Sequence, residues 1–178
     1  TRIGAVRPLI TPALLQEWLP VPVPALALVE QSRLAISRIL QGQDDRLVVV
    51  VGPCSIHDHA QAMEYGRQLK VQADLLKPEL LIVMRVYFEK PRTSTGWKGF
   101  INDPFMDDSF RIDVGMERAR KFLLDVCEIG LPTGTHGSPG NPVAVILPPD
   151  PVECLGAGGQ ADFANIEQKV TRPRPPDV

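Results

Sequence analysis

Cysteine is scarce in this sequence. Cys54, Cys127 and Cys154 are the only three in 178 residues, and so small and odd a number builds no disulfide framework. A reducing, cytoplasmic setting is the expectation. An excess of one charge is also lacking. The formal net charge of -2 leaves no electrostatic footprint for nucleic acid or an anionic membrane surface, so neither is expected as a partner. No apolar stretch approaches the ~20 residues that a membrane span requires. The first ten residues, TRIGAVRPLI, lack the apolar core of a signal peptide and do not begin with Met, which reads as a fragment or a processed end. Missing too are a Walker-type phosphate loop, a GxGxxG fingerprint, a GxSxG elbow and a carboxylate pair with a nearby base. What is present is a globular composition, 44% hydrophobic and 22% charged, long enough for one domain with a sizeable core.

Proline divides the chain into three zones. Pro8, Pro12, Pro20, Pro22 and Pro24 crowd the start, so residues 1–27 read as an N-terminal arm around a helical turn near Ala13–Trp18. Residues 28–134 carry clear periodic patterns. Leu28–Leu40 reads as an amphipathic helix with Val29, Ser32, Ile36 and Ile39 on one face. Leu47–Val51 reads as a buried strand, because parallel strands covered on both faces appear as continuous apolar runs. Asp58 is placed to cap a helix that reaches about Leu76, with Ala62, Gly66, Leu69, Ala73 and Leu76 on one face. Leu80–Val86 is a second buried strand, and a helix runs from about Val114 to Ile129 with Met116, Ala119, Phe122 and Val126 inward. Gly130 then Pro132 end it.

The order helix, strand, helix, strand, helix implies an α/β fold with parallel pairing through right-handed crossovers. A third strand is due near Pro132, yet the sequence beyond it does not supply one. Residues 135–178 hold the remaining eight prolines and five of the 14 glycines, with only Val143–Leu147 strand-like, and read as a Pro/Gly-rich irregular tail.

Two segments can carry chemistry. In VVVVGPCSIHD (48–58) the first strand stops at Gly52-Pro53 and delivers Cys54 to its C-terminal end, where reactive groups of such sheets and barrels sit. A free Cys is often only a small buried hydrophobe. Paired with His57 or His59 it is half a metal site, with no further Cys or His at short spacing, or a thiol nucleophile. Cys127 reads as packing. The loop RVYFEKPRTSTGWKGFINDP (85–104) gathers Arg85, Lys90, Arg92 and Lys98 among hydroxyls. Guanidinium forks and ammonium groups suit phosphate or carboxylate. Equally, the run reads as a solvated basic loop balanced by Glu89, Asp103 and Asp107.

Taken together, GPCSIHD (52–58) and MRVYFEKPRTSTGWKGFINDP (84–104) strongly resemble the class I 3-deoxy-D-arabino-heptulosonate 7-phosphate (DAHP) synthases, in their bacterial and fungal feedback-regulated branch. The resemblance spans roughly residues 7–134. It implies the N-terminal part of a (βα)8 barrel with an N-terminal extension, incomplete in this chain. It implies a homo-oligomeric transferase that condenses phosphoenolpyruvate with erythrose 4-phosphate at the entry to aromatic amino-acid biosynthesis. It also implies a divalent metal (Mn, Fe, Co or Zn), with Cys54 as one ligand. By the same resemblance Arg85 helps bind phosphoenolpyruvate, Lys90 sits between the two substrates as the catalytic lysine, and Lys90, Pro91, Arg92 and Thr93 contact erythrose 4-phosphate.

The sequence departs from that family after Gly134. Where the family has an active-site glutamate on a third strand, this chain has His136, and no part of 135–178 matches the later metal ligands. A truncated gene or a shifted reading frame is the expectation. The alternative to the enzyme is a non-catalytic remnant that binds phosphorylated ligands or associates with full-length subunits.

Overall fold

Thr11 and Pro12 open the first helix. Pro12 supplies a pre-set φ, and the Thr11 hydroxyl accepts a long hydrogen bond from the Leu14 amide at 3.4 Å. In the computed structural model, which describes residues 8–89 and 96–135, α1 (Pro12–Trp18) is followed by α2 (Val23–Leu40). Then come β1 (Leu47–Val51), α3 (His59–Leu75), β2 (Leu80–Arg85), α4 (Ile112–Glu128) and β3 (Thr133–Gly134). The prolines between α1 and α2 bend the pair by 118°. Among the described residues no single helix is long and apolar enough to cross a membrane. α2 begins at Val23, five residues before the expected Leu28, because Pro24 sits in its first turn where a missing amide costs nothing.

The sheet is parallel, in the order β1-β2-β3. Leu47 pairs with Leu80 and Val51 with Met84, while Met84 pairs with Thr133. The expectation that no third strand follows is therefore corrected. Two residues do pair, extended by hydrogen bonds from the Met84 amide to the Pro132 carbonyl at 2.8 Å and from the Val86 amide to the Gly134 carbonyl at 2.9 Å. His136 and Val143–Leu147 lie outside the described residues.

The strand positions correct a second expectation. β2 is central, and Ile82, Val83 and Met84 are buried as predicted. β1 is an edge strand, so Leu47 is 62% exposed and Val50 and Val51 are also exposed despite their β-branched, apolar character. Its sequence suits burial on both faces, but the described residues cover it only in part.

Helix α3 starts where the sequence placed it. The Asp58 carboxylate accepts from the Gln61 amide at 2.7 Å. Its inner face is shorter than expected: Ala62, Met63 and Gly66 are buried, while Leu76 lies past the helix end and is exposed. Helix α4 carries the core. Met116, Ala119, Phe122 and Val126 are all buried as predicted, joined by Leu123 and Cys127. Phe122 meets the ring of Phe88 edge-on at 6.0 Å and that of His59 edge-on at 5.4 Å. His59 in turn contacts the Asp125 carboxylate at 2.9 Å, tying the start of α3 to α4.

A buried cation ties the N-terminal helices to the same core. Arg120 is 1% exposed, and its Nε donates to the Leu19 carbonyl at 2.8 Å just beyond α1, whose Leu15 is fully buried. Burial holds the Arg120 guanidinium below its ordinary value, since the interior disfavours its charge. α4 also packs tightly on the loop before it. A Cβ on Gly115 would lie 2.0 Å from the Ile101 carbonyl oxygen, a distance no side chain tolerates. Gly115→Ala is therefore expected to destabilise the fold by about 1–3 kcal/mol, measured as a lowered midpoint in chemical denaturation. An unchanged midpoint would contradict this packing.

Candidate functional site

The C-terminal ends of β1 and β2 meet at one place. After Val51 the chain turns through Gly52, Pro53, Cys54 and Ser55 before Ile56 plunges into the core at 1% exposure. Gly52 is required there. A Cβ on it would lie 2.4 Å from the Arg85 carbonyl oxygen, so the backbones of the two strand ends touch.

Arg85, the last residue of β2, reaches back across this junction. Its Nη2 donates to the Gly52 carbonyl at 2.8 Å and its Nε to the Pro53 carbonyl at 3.3 Å. The guanidinium carbon stands 5.2 Å from the centre of the Tyr87 ring, a cation–π distance. The Ile56 amide donates to the Tyr87 carbonyl at 2.8 Å, closing the turn from its far side. Two of the five guanidinium N–H groups are thus bonded to this turn, and the fork has three more. The structure brings Arg85 and the Cys54 turn together. Neither Tyr87 nor the paired carbonyls are legible as partners from spacing, although Gly52 at a strand end signals a close backbone approach.

Cys54 is exposed, and no hydrogen bond joins it to His57, which is exposed on the far side of buried Ile56. Among the described residues no base is bonded to the thiol, so they lend a thiol nucleophile no support. His57 instead lines a cleft of about 230 Å³ with Pro53, Asp58, Gln61, Ala62 and Tyr65. Among the described residues no group of three or more His, Cys, Asp or Glu side chains could hold a metal ion. As a metal ligand Cys54 is one donor without a described partner set, and the described residues do not by themselves fit a metal.

The second segment folds back on itself. Glu89 and Gly99 form an antiparallel bridge, and Gly99, at φ +116°, sits where a Cβ would lie 2.3 Å from the Phe88 carbonyl oxygen. The Asn102 side-chain amide donates to Glu89 Oε1 at 3.2 Å and to the Lys98 carbonyl at 3.4 Å. This pairing fixes the flanks of residues 90–95. Lys90, Pro91, Arg92 and Thr93 lie outside the described residues. Lys98 is half-buried.

Reading Asp103 as a solvated counter-charge is wrong. Asp103 is 2% exposed, its Oδ2 accepts from the Asp108 amide at 3.2 Å, and its backbone carbonyl accepts from Trp97 Nε1 at 2.8 Å. It braces a turn in which Met106, Asp108 and Phe110 adopt positive φ. Asp107 is held below the usual carboxylate range, first by the Ser109 hydroxyl and then by the Ser109 amide. Cys127, by contrast, is buried, and desolvation pushes its thiol up to about 11.

Residues 25–139 match the DAHP synthetase I family. The chain is 52% identical over 133 residues to the phospho-2-dehydro-3-deoxyheptonate aldolase of Amycolatopsis methanolica, covering 75% of this chain and 66% of that protein. It is 54% identical over 131 residues to the Phe-sensitive enzyme of that name from Escherichia coli K12, covering 74% of this chain and 37% of that one. A solved phospho-2-dehydro-3-deoxyheptonate aldolase from Francisella tularensis SCHU S4 superposes with a TM-score of 0.74 at 47% identity, over 77% of this chain and 40% of that chain. This chain therefore spans under two thirds of the length of each.

An exposed thiol and a buried thiol with a raised pKa should differ in reactivity. Iodoacetamide near neutral pH is expected to label Cys54 at the rate of an ordinary exposed thiol and Cys127 at least about tenfold more slowly, as mapped by peptide mass spectrometry. Labelling of Cys54 far faster than a free thiol would restore the nucleophile reading.

Proposed function

The chain belongs to the DAHP synthetase I family, and on that premise we propose that it carries the N-terminal part of a 3-deoxy-7-phosphoheptulonate synthase. The reaction is the condensation of phosphoenolpyruvate with erythrose 4-phosphate that opens aromatic amino-acid biosynthesis. One observation carries the reading. Arg85 and the turn bearing Cys54 occupy the same C-terminal end of adjoining parallel strands, where α/β folds build their active sites.

The fold proposed for the whole protein is a (βα)8 barrel, with residues 1–27 as an N-terminal arm and residues 28–134 as the first part of the barrel, β1 and β2 being its first strands. Two phosphorylated substrates require several fixed cations, because a phosphate in a partly dehydrated site is stabilised by guanidinium forks and ammonium groups. We assign that role to Arg85, Lys90 and Arg92, with Pro91 and Thr93 completing the erythrose 4-phosphate contact and Lys90 as the catalytic lysine. Cys54 is proposed as one ligand of a divalent metal. Manganese, iron, cobalt or zinc suit a thiolate joined by imidazole and carboxylates. Parent enzymes are proposed to be cytoplasmic homo-oligomers.

A second reading concerns the 178-residue chain as such: it binds phosphorylated ligands or full-length subunits without turnover. Titration calorimetry and a coupled assay test both readings. Phosphoenolpyruvate is expected to bind the chain, and Lys90→Ala to weaken binding at least about tenfold, the loss of one charge-assisted hydrogen bond. Binding that Lys90→Ala leaves unchanged would contradict the assigned site. Loss of phosphoenolpyruvate that depends on erythrose 4-phosphate and stops with chelator would overturn the second reading, which predicts none.

A further inference from the structure

Arg85 makes two side-chain hydrogen bonds, both to the backbone of the turn that presents Cys54. The acceptors are consecutive carbonyls, Gly52 at 2.8 Å and Pro53 at 3.3 Å, immediately before the thiol. The guanidinium is held in turn by the Tyr87 ring at 5.2 Å, and the turn's other end by the Ile56 amide on the Tyr87 carbonyl at 2.8 Å. Gly52 lets the two backbones meet at a distance any side chain would block. Cys54 itself contributes nothing to this anchoring. It is exposed, and its thiol makes no hydrogen bond among the described residues.

We propose that Arg85 is a positioning residue for Cys54, its guanidinium fork fixing the two carbonyls that set where the thiol is presented. A planar fork can hold two neighbouring acceptors at once, which a lysine ammonium cannot do with the same geometry. The Arg85 stem continues β2, the central strand, so the thiol inherits the rigidity of the sheet and not the freedom of a loop. The functional consequence rests on the proposed anion-binding role of Arg85. The same guanidinium that would meet a substrate anion also holds the turn that presents Cys54. An anion drawn to the remaining N–H groups therefore acts on the setting of Cys54 through one side chain.

Amide hydrogen exchange of the 178-residue chain, read by peptide mass spectrometry, tests the positioning directly. In Arg85→Ala, exchange at the Ile56 amide, bonded to the Tyr87 carbonyl, should rise at least about tenfold, since the hydrogen bonds from a charged donor that hold the turn are lost. Amides of α4 should stay within about twofold, and Arg85→Lys should fall between the parent and Arg85→Ala. Unchanged exchange at Ile56 in Arg85→Ala would overturn the proposal. If Arg85→Ala loosens α4 equally, Arg85→Lys decides: a rise confined to the turn supports positioning, and none overturns it. A parallel arm adds inorganic phosphate to the parent. A change at the Ile56 amide that Arg85→Ala lacks supports a shared fork. No change, with the variant result intact, leaves positioning standing and removes Arg85 from the anion site.

Discussion

Parallel pairing of β1 with β2 in a single register is the constraint on which the rest of the molecule depends. Leu47 opposite Leu80 and Val51 opposite Met84 bring both strands to an end at the same level. Only then can Arg85 reach the Gly52 and Pro53 carbonyls, and Ile56 the Tyr87 carbonyl. Ile82, Val83 and Met84 are buried in succession on both faces of β2, so a slip of one residue would exchange the core partners of all three.

Packing around β2 explains why that pairing is held without a covered β1. Helix α4 lays Phe122, Val126 and Met116 into the core, and Phe122 edges against Phe88 just past β2. The same helix receives the N-terminal segment through Arg120 and the Leu19 carbonyl, a buried charge that stabilises only because it is hydrogen-bonded. Backbone contacts at Gly52, Gly99 and Gly115 permit approaches that any side chain would prevent. Three glycines thus mark three seams: strand end on strand end, loop on loop, and helix on loop.

Much of this was legible in the chain, for definable reasons. The period of α4, the Asp58 cap and the left-handed stop at Gly130, at φ +76°, are local signals, and the structure realises each of them. The parallel pairing of β1 with β2 followed from two apolar runs joined by a helical crossover. What was not legible depends on tertiary context. β1 reads as a buried strand because its residues suit burial, while its exposure depends on what lies beside it. Asp103 reads as surface charge, and only the folded loop shows it accepting from Asp108. The two residues of β3 were missed because a strand so short has no period. Arg85 reads as a ligand for anions, since nothing in its spacing reveals that backbone carbonyls already engage part of its fork.

The site that results is a joint between two strands in which one side chain serves both. The family to which the chain belongs gives that joint its proposed chemistry, and the register of β1 and β2 gives it its geometry. Trans-hydrogen-bond couplings in an isotopically labelled sample measure that register at its ends. The structure predicts couplings from the Leu47 amide to the Glu79 carbonyl and from the Ile56 amide to the Tyr87 carbonyl, beside those from Met84 to Pro132 and Val86 to Gly134. Couplings displaced by one residue, or absent between β1's flanks and β2's, would contradict the account.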